Sequence, residues 1–65
     1  MNRVWIAIYT FYDNTEVLGV FLSKEIALSY VKKDMLDRYG NVDFDITFQK
    51  YYYIQEYPII EKPYE

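Results

Sequence analysis

The 65-residue chain has no cysteine and no histidine. The first absence rules out disulfide staples, which small domains often need. Together the two remove the side chains that make most metal centres, activated nucleophiles and proton shuttles. Carboxylates alone are poor structural zinc ligands, so no metal and no cofactor is expected. The two glycines, Gly19 and Gly40, are isolated, so there is no glycine-rich phosphate loop. No apolar run approaches the ~20 residues that carry a helix across a bilayer. Met1-Asn2-Arg3 leads straight into Val4-Trp5-Ile6, without the apolar stretch and cleavage site of a signal peptide. A cytoplasmic protein without a membrane partner is the expectation. Positive charge is also scarce: 7 Lys and Arg stand against 10 Asp and Glu, a net charge of −3. Only Lys32-Lys33 are adjacent bases, and Asp34 follows them. A surface that tracks phosphates needs clustered Lys and Arg, so direct nucleic-acid binding is not expected.

What the chain has is aromatic surface. Nine tyrosines, four phenylalanines and Trp5 make up 22% of it. Such residues supply area for packing and for recognition. A single domain of this size buries only about 60% of the surface of its unfolded chain. With disulfides and metal excluded, it is left with good packing or self-association.

The pattern along the chain predicts an α+β fold. Residues 3 to 11 read as a strand with Val4, Ile6, Ile8 and Thr10 on one face and Trp5, Ala7, Tyr9 and Phe11 on the other. Both faces are apolar, so this strand belongs in the centre of a sheet. Tyr12-Asp13-Asn14-Thr15 is a turn, with Asp and Asn suited to left-handed backbone. A second strand over 16 to 22 completes a hairpin, and Gly19 suggests a bulge or a close approach by the helix. Ser23 is a helix N-cap. Ile26, Ala27, Tyr30, Val31 and Met35 form a helical stripe, with Leu36 or Tyr39 extending it. Gly40-Asn41 stops the helix, which gives bounds of 24 to 39. Residues 42 to 49 alternate, with Val42, Phe44, Ile46 and Phe48 against Asp43, Asp45, Thr47 and Gln49, and read as a half-buried strand or extended segment. Residues 51 to 57 form a further extended run, with Tyr51, Tyr53, Gln55 and Tyr57 on one face. Whether 42 to 57 holds two strands or one bent strand stays open. Residues 1–57 thus form one ββαβ(β) domain, a three- or four-stranded mainly antiparallel sheet with one helix on one face. Residues 58–65 form a tail, and a right-handed crossover places the last strand beside the first.

These elements resemble a family of very small, uncharacterised phage and bacterial domains. The resemblance lies in Glu16-Val17-Leu18-Gly19-Val20-Phe21, then Ser23, Glu25, Ala27 and Tyr30-Val31, and finally Tyr52-Tyr53-Ile54-Gln55-Glu56-Tyr57. It covers residues 3 to 57 except 41 to 50. It implies a ββαβ fold and a phage or prophage origin, and it brings no activity and no functional residues.

Chemistry finds little support. Asp43 and Asp45 are paired carboxylates of the kind used in acid–base catalysis, but a solvated strand face explains them. Ser23 and Ser29 have no histidine to activate them. Asp13, Asn14 and Glu16 offer oxygen ligands, yet a hairpin turn accounts for them. An enzyme is not expected. One helix covers one face of the sheet, which leaves an aromatic face without cover unless the tail, Pro58 to Tyr64, folds back over it. Large apolar patches mark interaction sites. Trp5, Tyr9, Phe11, Tyr51 and Tyr53 are therefore the expected protein-interface residues. The same rings, Trp5, Tyr9, Tyr51 and Tyr53, are the candidates for a base-stacking platform. The expected function is a small phage-type binding module that docks on a host or bacterial protein, in its sharper form an inhibitor of a host defence or nucleic-acid enzyme. The alternatives are a structural homodimer and an acidic DNA mimic with Asp43, Asp45, Glu56 and Glu61 in a row.

Overall fold

The computed structural model describes residues 3–59. Strand β1 (Arg3–Phe11) is followed by β2 (Asn14–Phe21), α1 (Lys24–Tyr39), α2 (Phe44–Tyr51) and β3 (Tyr52–Pro58). The strands form one antiparallel sheet in the order β2-β1-β3. The α+β architecture and the central place of the first strand are as the sequence predicts.

The hairpin is tighter than expected, because Phe11 pairs with Asn14 and only Tyr12-Asp13 remain as the loop. The left-handed residue there is Tyr12, with φ 56°, rather than Asp13 or Asn14. The bulge does lie beside Gly19: the register shifts between Ala7↔Gly19 and Ile8↔Val17, which leaves Leu18 as the extra residue. The close neighbour of Gly19 is the Phe21 ring, which would stand 2.7 Å from an added Cβ. The neighbour is thus a ring of the same strand, and the glycine makes room for it to turn toward the core.

Helix α1 begins and ends where its residues predict. The Ser23 hydroxyl accepts from the Glu25 and Ile26 amides, and the Gly40 amide donates to the Leu36 carbonyl. Its buried stripe is narrow, comprising Ala27, Val31 and Met35. Ile26, Tyr30 and Leu36 are exposed.

The segment 42 to 49 is the main correction. It is not a strand: α2 spans Phe44–Tyr51, with Asp43 as its N-cap accepting from the Ile46 amide at 3.0 Å. Phe44 and Phe48 are four apart, a spacing compatible both with alternation and with one helical face. In the helix their rings stack at 5.5 Å and pack against the core, whereas Val42 and Ile46 are exposed. Asp43 and Asp45 therefore sit at a helix N-terminus, where carboxylates cap amides, and not along a strand. Tyr51 ends α2, so the alternation of the last strand starts at Tyr52.

The core is Ala7, Val31, Met35 and Tyr52. Leu18, Phe21, Phe48 and Ile54 pack against it. Ala7 and its cross-strand partner Ile54 thus place the core on a single side of the sheet, the side carrying α1.

Candidate functional site

The two faces of the sheet have different chemistry. On the helix side lie Trp5, Ala7, Tyr9 and Phe11 of β1. Their cross-strand partners there include Phe21 and Glu16 on one flank, and Glu56, Ile54 and Tyr52 on the other. Each strand is tied to the last two turns of α1 by one polar contact. The Tyr52 hydroxyl donates to Asp34 Oδ2 at 2.7 Å, joining β3. Arg38 Nη2 donates to Glu16 Oε1 at 2.9 Å, joining β2. The hydroxyls of Tyr39 and Tyr9 share a hydrogen bond of 2.7 Å, joining β1. Arg38 also donates from Nε to Asp34 Oδ2 at 2.6 Å and lies 3.9 Å over the Tyr9 ring. The tyrosines that bond here are core residues with polar tips, each finding a partner. Among the described residues no buried side-chain nitrogen or oxygen lacks one.

This environment shifts three groups. Burial first, and then the bond to Tyr9, pushes the Tyr39 phenol up to about 12. Burial, followed by the bond to Asp34, raises Tyr52 as well. The hydrogen bond to Asp34 leads in raising Arg38, against an opposing loss of solvation. All three shifts hold the protonated forms in place, which suits a structural network.

The opposite face has no cover among the described residues. It carries Val4, Ile6, Ile8 and Thr10 from β1, and Val17 and Val20 from β2, paired with Ile8 and Ile6. From β3 it carries Tyr53 and Tyr57, paired with Ile8 and Val4, with Gln55 between them. Val17 and Val20 are each 59% exposed, Tyr53 42% and Tyr57 47%. No charged residue faces this side within the paired strands. Three strands about 4.8 Å apart, each roughly eight residues at about 3.3 Å, make a face of some 14 by 26 Å. That lies in the range of the largest apolar patches on monomers, which are often functional.

The five residues expected at an interface do not share a face. Tyr53 alone lies on the open side. Tyr9 and Tyr51 are half-buried on the helix side, where Tyr51 stacks on Tyr39 at 5.2 Å. Trp5 is half-buried on that same side, and Phe11 is exposed at its hairpin end. The open face is aliphatic on β1 and β2 and aromatic only on β3, because the aromatics of β1 point to the side that carries α1. The base-stacking platform is not assembled for the same reason. Val17, Val20 and Tyr57 of the open face lie outside the expected set. The signal for them is Ala7: the smallest side chain of the first strand marks where a helix packs closest, which sends the even-numbered residues of β1 outward, and with them their partners Val17, Val20 and Tyr57.

The acidic row is not assembled either. Asp43 and Asp45 open α2, Glu56 lies on β3 paired with Arg3 at 2.9 Å, and Glu61 is outside the described residues. So is the expected fold-back of the tail, apart from Pro58, which closes β3 opposite Arg3, and Ile59, which is exposed. Among the described residues no three carboxylates gather to hold a metal, and no helix is long and apolar enough to cross a membrane. The chain matches no protein-family model, no curated protein and no solved structure.

Proposed function

We propose that the chain is a small non-enzymatic protein-binding module that docks through the open face of its sheet. The observation that carries this reading is the uncharged apolar face built from Ile6, Ile8, Val17, Val20, Tyr53 and Tyr57, left without cover by the described residues. A standard interface buries about 800 Å² per partner. The face supplies about half of that in projection, so it serves as the apolar centre of a contact whose rim comes from the strand edges. The phage-type resemblance directs the reading toward a host or bacterial protein, and an inhibitor of a host defence enzyme is its sharpest form.

A homodimer is the second reading. It is favoured by the same absence of charge, since two copies placed face to face meet no like-charge repulsion, and sheets pack this way about 10 Å apart.

Affinity capture from a bacterial lysate with the wild type beside Val20→Lys/Tyr53→Lys tests both. Both side chains are exposed, so the variant is expected to keep its fold, which circular dichroism checks. A stoichiometric partner that the variant loses supports docking through this face. A partner that the variant keeps overturns it. Self-association lost in the variant, with melting temperature falling on dilution, selects the homodimer.

A further inference from the structure

A second feature lies at the hairpin end of the molecule, where it meets the end of the open face at Thr10. Tyr12 is 91% exposed and has φ 56°. It is the first residue of a two-residue hairpin loop, and it is the only non-glycine residue with positive φ among those described. Loops in which only the first central residue has positive φ place glycine there. A bulky side chain in left-handed backbone is strained, and such strain clusters at functional sites. Neither burial nor turn chemistry accounts for a tyrosine at this position.

What surrounds Tyr12 is a cleft of 440 Å³ lined by Thr10, Phe11, Tyr12, Lys50 and Tyr51, a size within the range of ligand sites. The Phe11 ring lies 4.4 Å from that of Tyr12, edge to face, and 5.9 Å from that of Tyr51. The Tyr51 wall is anchored from behind by its stack on Tyr39 and from beside by Thr10, whose hydroxyl donates to the Tyr51 carbonyl at 3.4 Å. Lys50, in the last turn of α2, has no salt-bridge partner among the described residues.

We infer that this aromatic cleft binds an extended peptide segment carrying proline next to an acidic side chain. Proline-rich segments are preformed in an extended helix and dock in aromatic-lined grooves. The ammonium of Lys50 supplies the complement to an acidic neighbour and sets the direction of the peptide. A nucleic-acid strand is disfavoured because one cation does not neutralise a run of phosphates, whereas it suffices for a single acidic side chain.

The test is a chemical-shift titration of the isotope-labelled full chain. The probes are a short proline-rich peptide carrying aspartates, its counterpart with lysines in their place, and an oligothymidine. The aspartate peptide is expected to give saturable shifts at Phe11, Tyr12, Lys50 and Tyr51, and the other two probes none. Lys50→Glu is expected to reverse the preference between the peptides. Tyr12→Gly is expected to weaken binding about tenfold or more while the melting temperature holds or rises, because glycine relieves the left-handed strain. The inference is overturned by equal binding of both peptides, by no saturable shift, by oligothymidine moving these residues instead, by shifts confined to the open sheet face, or by full binding in Tyr12→Gly. The first proposal is read out at Val20 and Tyr53, which do not line this cleft, so the two stand or fall separately.

Discussion

Arg38 places its guanidinium 3.9 Å from the centre of the Tyr9 ring while donating to Asp34 from one nitrogen and to Glu16 from another. One side chain thus touches a strand in the middle of the sheet, a strand at its edge and its own helix. Arg38→Lys keeps the charge but not the planar fork or the ring stack. The position is partly exposed, so each salt bridge contributes only about 0.2–1 kcal/mol and the cation–π contact about 0.5–1 kcal/mol. A loss of about 1–2 kcal/mol is expected in urea unfolding, seen as a lower midpoint at an unchanged slope.

Tyr52 shares Asp34 Oδ2 with Arg38. Its ring is buried and its hydroxyl is the only tie from β3 to α1 among the side-chain hydrogen bonds of the described residues. Tyr52→Phe leaves the ring packing and removes the donor, which is expected to cost about 1 kcal/mol. Because the two donors meet at one oxygen, Tyr52→Phe and Arg38→Lys are expected to be non-additive. A double-mutant cycle by urea unfolding measures this, and strict additivity would mean the network is not coupled.

Tyr39 and Tyr52 both titrate above the ordinary tyrosine value of about 10, with Tyr39 pushed up to about 12. A raised folded value means that the native state holds the phenolic proton more tightly than the unfolded chain does. The stability this contributes is fully present below pH 10 or so and is lost as pH rises toward the folded value. Urea midpoints measured between about pH 8 and 12 are expected to stay level at first and then fall above about pH 10. Tyr39→Phe is expected to flatten the fall, and an unchanged profile in that variant would exclude Tyr39 as its source.

Much of the fold was legible in local chemistry. Ser23 and Gly40 bound α1 because a hydroxyl cap and a left-handed stop are local devices that no tertiary contact needs to supply. The doubly apolar first strand belonged in the centre for the same kind of reason. The segment 42 to 49 was not legible, because Phe44 and Phe48 satisfy both a twofold alternation and a helical turn. What decides between them is tertiary: their rings have Met35 and Tyr52 to pack on only when they share a helix face. Tyr12 shows the opposite limit. Asp13 and Asn14 are the better left-handed residues, but the pairing of Phe11 with Asn14 fixes which residue must take that backbone. That one face of the sheet stays open follows from a single covering helix, but which residues face it does not, since both faces of the first strand are apolar and only the position of Ala7 tells them apart.

The central claim is that the uncovered face of the sheet contacts a protein. The most direct measurement is site-specific photocrosslinking in a bacterial host, with the photoreactive amino acid p-benzoylphenylalanine at Tyr53 on that face and, in a second variant, at Leu36, which is exposed on α1. An adduct of defined mass formed from position 53 and absent from position 36 is the predicted result. Adducts from position 36 alone, or from neither position, would contradict the claim.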